Sequence, residues 1–318
     1  MPRHISLNQQ VAEDSAGLRL DQAAVVLFPD FSRGRLQQWI KSGELTVNGR
    51  RAKPSRRLLG GENLCIEAHL VSEGEVVPQD IPLDIIFSDE HLLVLNKPVG
   101  LVVHPAAGNW EGTLQNALLH YDPELDTLPR SGIVHRLDKD TSGVMVVARS
   151  LKAHASLVNQ LQTRSMSRVY EAVVKGDIPT AGTISASIDR NPRDRKKMAV
   201  RESGKSATSH YKLIQHLPGT SHVEVSLESG RTHQIRVHMT HIGYPIVGDH
   251  LYGRGPIKQK GLAASAIEAI NGFPRQALHA RTLKLIHPEN EEVCEFHAPL
   301  AYDMSELIAT LKRSMTDD

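Results

Sequence analysis

Between Gly132 and Gly143 the chain packs six polar or ionisable side chains, His135, Arg136, Asp138, Lys139, Asp140 and Thr141, between two apolar stretches. A carboxylate on such a loop, carried by a rigid element, can serve as a nucleophile or a base. For an arbitrary loop the commoner outcome is a charged turn between strands. Other chemistries fit less well. On a strand, Asp138 and Asp140 would share a face about 6–7 Å apart, near a glycosidase spacing. Asp140-Thr-Ser-Gly143 carries the wording of an aspartic protease, but no second copy supplies the dyad. His233, His238 and His241 spread around a helix without HExxH spacing, so no metal is expected.

A reactive loop needs elements to hold it. Short apolar runs at Ile85-Ile-Phe87, Leu92-Leu-Val-Leu95, Val144-Met-Val-Val147, Val169-Tyr-Glu-Ala-Val-Val174 and Val223-Glu-Val-Ser-Leu227 predict strands. Thr113–His120 and Lys152–Gln162 predict helices between them. The texture is α+β, with a large, mainly antiparallel sheet. Before Ile81 the pattern differs. Leu18, Leu20, Ala24 and Leu27 have near-helical spacing, and Ser32 is the expected N-cap of a second helix that buries Leu36, Trp39 and Ile40 before Gly43. Thr46–Arg50 then predicts a strand entering an Asn-Gly hairpin turn. The acidic stretch Val71–Asp80, with Ser, Gly and Pro, predicts a linker.

The 318 residues suggest two domains, and a 40% apolar share suffices for a core. Aromatics make up 4%, so base-stacking platforms must be few. Cys65 and Cys294 lie far apart and form no CxxC or Cys/His cluster, which argues against a disulfide scaffold or structural zinc. With no signal-like start and no apolar window approaching ~20 residues, a soluble cytoplasmic protein is expected. The net charge of +1 hides strong polarity. Arg33 to Arg57 holds eight Lys/Arg against one acid, and Glu62 to Glu90 holds eight acids and no Lys/Arg. Asp189 to Lys205 holds seven bases against three acids. Basic surfaces facing a polyanion account for this, with plain solvated faces as the bland alternative.

The wording of the loop decides among these readings. His135-Arg-Leu-Asp-Lys-Asp-Thr-Ser-Gly143 resembles the signature of the RluA-type pseudouridine synthases. Leu95-Asn-Lys-Pro-Val-Gly-Leu-Val-Val-His-Pro105, Arg168-Val-Tyr-Glu-Ala-Val-Val174, Gly230-Arg-Thr-His-Gln-Ile-Arg-Val-His238 and Gly243-Tyr-Pro-Ile-Val-Gly-Asp249 agree, in family order. The N-terminal helices and basic turn resemble the alpha-L RNA-binding motif. The resemblance implies an N-terminal alpha-L type RNA-binding domain at 1–75 and a pseudouridine synthase catalytic domain at 76–318. It implies an isomerase acting on a stem-loop of 23S large-subunit ribosomal RNA, free or in a pre-ribosomal particle. A monomer without membrane contact is expected.

Family roles fall on matching positions. Asp138 matches the catalytic aspartate, Arg231 the basic residue paired with it, Tyr170 the tyrosine under the target uracil, and Arg136 the arginine that fills the gap left by the flipped base. The alpha-L match assigns RNA backbone contacts to Arg33, Arg35, Lys41, Arg50, Arg51 and Lys53. A basic loop adds Arg190, Arg193, Arg195, Lys196, Lys197 and Lys205. Lys139 and Asp140 match the signature without an assigned role.

The chemistry is consistent with these residues. Isomerisation breaks N1–C1′, turns the uracil and joins C5 to C1′. A carboxylate splits that into easier steps, whether it attacks C1′, attacks C6 or takes a proton from the sugar, and the sequence leaves these routes open. No metal or organic cofactor is expected. Gly230 is expected to permit an unusual turn and Thr232 to cap a helix, leaving Arg231 at its start. Ile235, Met239 and Ile242 would share that helix's face, with Gly243 ending it. A non-catalytic assembly factor on the same fold would have been favoured by loss of Asp138, Tyr170 or Arg231, and all three are present. A nucleoside hydrolase would need a second carboxylate beside Asp138 and has no use for an N-terminal RNA module.

Overall fold

The computed structural model describes residues 3–29, 31, 33–70, 76–105, 110–253, 255–257 and 261–315. It divides into two compact units, Met1–Glu75 and Val76–Asp318. Residues 71–75 of the expected linker lie outside the described residues, and 76–80 carry no strand or helix.

In the first unit β1 (Arg3–Gln10), β2 (Leu45–Val47) and β3 (Asn63–Leu70) form an antiparallel sheet in the order β1-β3-β2. Helices α1 (Leu20–Leu27) and α2 (Arg33–Ser42) complete its core, burying Leu20, Ala24, Leu36, Trp39 and Ile40 with Leu45, Leu64 and Ile66. The expected cap Ser32 lies outside the described residues. Asn48 and Gly49 both adopt positive φ (51° and 73°), as a type I′ turn requires. The expected Asn-Gly turn forms, closed by reciprocal Val47–Arg50 backbone hydrogen bonds, but the pairing goes no further, and the strand partner of β2 is β3. The intervening segment is diverted to α1, whose first-turn Leu20 and Asp21 N–H groups donate to Arg56 O and Pro54 O.

The second unit is built on β4 (Ile85–Ser88), β5 (Leu92–Lys97), β6 (Ser142–Ala148), β7 (Ser167–Lys175), β8 (Ala181–Ser185), β11 (Thr208–Leu217), β12 (Thr220–Leu227), β13 (Leu278–Ile286) and β14 (Val293–His297). These make a nine-stranded sheet in the order β4-β5-β6-β13-β7-β12-β11-β8, with β14 added to β13. Among the described strands only β6 and β13 pair in parallel. Strands β9 (Ile188–Arg190) and β10 (Met198–Val200) form a separate hairpin. Helices α3 (Leu114–Tyr121), α4 (Leu151–Thr163), α5 (Gln234–His241), α6 (Ala264–Gly272) and α7 (Tyr302–Arg313) complete the unit. Thr113 and Asn116 form a reciprocal capping box on α3, and Ser150 caps α4. Among the described residues no helix is long and apolar enough to cross a membrane.

The middle of the sheet is what fixes the loop at 132–143. Every residue of β6 is buried, as an apolar run without alternation demands. Glycines bound the loop because nothing larger fits. A β-carbon at Gly132 (φ +78°) would come within 1.9 Å of Ala148 O, and one at Gly143 (φ +117°) within 2.2 Å of Ala280 O. Between them the loop is tied from several sides. His135 Nε2 accepts the Val146 N–H, and the fully buried Lys97 donates to Lys139 O, Pro98 O and Leu101 O. Arg275 donates to Asp140 O, and Gln276 to Thr141 Oγ1. Lys139 and Asp140 therefore contribute backbone carbonyls to this scaffold, a use that the side chains alone did not suggest.

Candidate active site

Asp138 leaves this clamped loop and lines a cavity of about 660 Å³, its side chain 17% exposed. Tyr170, buried on central strand β7, lines the same cavity. Burial pushes the Tyr170 hydroxyl above its ordinary pKa, Arg168 opposes the rise and Asp138 adds to it, so the ring stays neutral. Arg136 also lines the cavity and is exposed.

The partner of Asp138 is Arg236, not Arg231. Arg236 Nη1 donates to Asp138 Oδ2 at 2.9 Å, while its Nε and Nη2 grip Asp249 at 2.8 and 3.0 Å. Burial disfavours the Arg236 charge, but the hydrogen bonds and charges of Asp249 and Asp138 outweigh it and raise the pKa. Arg231 lines the cavity but is exposed and donates to Ser206 O.

The misassignment follows from where the helix begins. Thr232 does not cap it. The N-cap is His233, held in the left-handed conformation (φ 57°, ψ 21°), and α5 starts at Gln234. Arg236 then falls in the first turn, buried between Ile235 and Val237. Gly230 does not adopt a positive φ. As expected, Ile235 and Met239 are buried, Ile242 packs against the same core, and Gly243 follows with φ +92°. The signal for Arg236 was present in the sequence. An arginine flanked by apolar helix residues must find an acid, and Asp249 lay in the neighbouring matching stretch.

Two further groups escaped sequence reasoning. His233 Nε2 stands 3.8 Å from Asp138 Oδ1, an electrostatic contact rather than a hydrogen bond. Its Nδ1 is 2.7 Å from the Tyr252 hydroxyl, which also accepts the Met198 N–H. Burial lowers the His233 pKa against the pull of Asp138. Behind the loop, burial lowers Lys97 to about 8 despite Asp140 and Asp138, and lowers His135 to about 3.

The Met198 contact also ties the β9–β10 hairpin to the site. Arg190 ends β9, and Arg193, Arg195 and Lys196 are exposed in the loop beyond it; Lys197 is half-buried, and Lys205 is exposed. In the first unit Lys41, Arg50, Arg51 and Lys53 are exposed. Arg33 and Arg35 begin α2, but their side chains lie outside the described residues. Among the described residues no group of three or more His, Cys, Asp or Glu is arranged to hold a metal.

A family model for RNA pseudouridylate synthase matches residues 91–241, and one for the S4 domain matches residues 18–64. The S4 match falls on α1, α2 and β2 of the first unit, which is of the alpha-L RNA-binding type. Ribosomal large subunit pseudouridine synthase D of Yersinia pestis is 50% identical over 98% of this chain and 96% of its own length. The protein of the same description from Pseudomonas aeruginosa is 50% identical over 96% and 95%. Among solved structures, human RNA pseudouridylate synthase domain containing 4 superposes with a TM-score of 0.57 at 25% identity, covering 72% of this chain and 93% of its own. Human RNA pseudouridylate synthase domain containing 1 gives 0.55 at 27% identity, covering 76% and 90%.

Proposed function

The chain belongs to the RNA pseudouridylate synthase family, and on that premise we propose that it converts uridine to pseudouridine in 23S ribosomal RNA with Asp138 as its nucleophile. The observation that carries this reading is the setting of Asp138, on a loop clamped to the sheet, facing a cavity with Arg236 on one carboxylate oxygen. Ribosomal large subunit relatives at 50% identity support the substrate.

The geometry suits the reaction. Asp138 must act as an anion in a pocket that sheds water. Arg236 donates to one of its oxygens and cannot deprotonate. A uridine flipped from its stack costs a few kcal/mol, least where pairing is weak. Stacking on Tyr170 and occupation of the vacancy by Arg136 offset part of that. The cavity walls keep the detached uracil close while it turns to present C5 to C1′. Exposed bases of the alpha-L unit and of the β9–β10 loop hold phosphates and fix register rather than do chemistry. The same reading makes this a cytoplasmic enzyme of ribosome biogenesis.

Pseudouridine mapping of large-subunit RNA, from cells with and without the protein, tests the proposal. Positions that vanish in its absence and return on re-expression support it. An unchanged map would end the reading.

A further inference from the structure

Arg168 belongs to the wall of the same cavity. It lies on β7 two residues before Tyr170, so both side chains leave the same face of the strand and line the cavity. The residue is 8% exposed, its Nε is sealed from solvent without an acceptor, and among the described residues nothing pairs with its guanidinium. The other buried arginines of this unit are paired, Arg236 with Asp138 and Asp249, Arg275 with Asp303. Gly230 leaves room for it, since a β-carbon there would lie 2.5 Å from Arg168 Nη1. A buried cation without a partner costs stability, and this side chain forms part of the wall of the cavity that receives substrate.

We propose that Arg168 is a second catalytic cation, binding the oxygen of the target uracil on which negative charge develops as the base is released. The proposal rests on the pseudouridine synthase reading and deepens it. When N1–C1′ breaks, the electron pair stays with the ring and spreads from N1 onto O2 and O4. Removal of a sugar proton ahead of base loss gives the same anion, and addition of Asp138 to C6 gives an enolate at O4. The pair returns when C5 bonds to C1′, after which C5 gives up its proton and N1 takes one. Each route charges a ring oxygen, so each gains from the same donor. Depth selects the base over the backbone. Arg130, Arg136 and Arg231 line the same cavity but are exposed, within reach of phosphates that stay in water.

Arg168→Met in the full chain provides the test. With uridine RNA the single-turnover rate should fall on the order of 10²–10³-fold, the scale for losing one preorganised donor. RNA affinity should stay within about threefold, and its log-salt slope should not change. The melting temperature should hold or rise, because no partner is stranded. With 5-fluorouridine RNA, whose fluorine stabilises the released ring anion, the deficit in consumption of the nucleotide should shrink at least about tenfold. An equal deficit on both RNAs would overturn the proposal. So would a salt slope lower by about 0.7–0.9, which marks a phosphate contact, or a loss of folding, which marks a structural partner. A wild-type protein inactive on ribosomal RNA sinks both readings. An active wild type beside an equally active Arg168→Met sinks only this one.

Discussion

Arg236→Met separates what Arg236 does for the fold from what it does for catalysis. Methionine is apolar and roughly fills the space, so the change removes three charged hydrogen bonds and little volume. Asp249 suffers most. Its side chain is 1% exposed, whereas that of Asp138 is 17% exposed and still reaches solvent. Stranding one member of a buried pair costs about 3–5 kcal/mol. For a unit of this size that lowers the melting temperature by roughly 6–20 °C. Asp249 also accepts the Leu251 and Tyr252 N–H groups through Oδ1, which an asparagine oxygen can still do. The double variant Arg236→Met/Asp249→Asn should therefore regain most of the stability. It should not regain activity, because Asp138 still lacks its cation. The single-turnover rate should stay down by about 10²-fold or more in both variants. Thermal melting and single-turnover pseudouridine formation are the two assays. If Arg236→Met melts like the wild type, the buried pair is not as described. If the double variant recovers its rate together with its stability, Arg236 acts only through the fold.

Other substitutions should grade as their surroundings dictate. Arg231→Ala, at an exposed residue bonded to one carbonyl, should reduce the rate far less than Arg236→Met and lower the log-salt slope of RNA binding by about 0.7–0.9; a rate as low as that of Arg236→Met would contradict this placement. Tyr170→Phe keeps the stacking ring and should stay within about tenfold of wild type, whereas Tyr170→Ala should fall well below it, and equal rates would remove stacking from the account. Alanine at Arg50, Arg51 and Lys53 together should lower the salt slope by about 2–3 and leave the rate at saturating RNA unchanged; an unchanged slope would remove these three from RNA contact. His279 is buried, its Nε2–H donating to Ala298 O and its Nδ1 accepting from Ser142, and burial lowers its pKa to about 4. The unfolded imidazole takes its proton near 6.5, so stability present above that pH is lost as pH falls toward 4, by up to about 3 kcal/mol. Denaturant titrations should show a flatter acid limb for His279→Gln, and parallel limbs would refute the assignment.

The large, mainly antiparallel sheet was legible because its strands advertise themselves. Leu92–Leu95 and Val144–Val147 are uninterrupted apolar runs of strand length, and both lie in interior strands. The helix signals at Thr113 and Leu36–Ile40 were local and held. What the sequence hid was set by tertiary contacts. The partner of β2 depended on where 50–62 was drawn by the open N–H groups of α1. The arginine facing Asp138 depended on α5 starting at Gln234, two residues after Thr232, with His233 in a left-handed conformation that few non-glycine residues adopt. Arg231 and Arg236 are both arginines of one motif, and only burial tells them apart. Lys97 and His135 could be read as reactive groups, yet they hold the loop through backbone atoms.

The most direct test of the central claim is single-turnover pseudouridine formation by Asp138→Asn on a large-subunit RNA fragment, with RNA affinity measured on the same sample. The amide keeps the shape and loses the nucleophile, so no product should form while affinity stays within a few-fold of wild type. Measurable turnover by a sequence-verified Asp138→Asn protein would contradict the account.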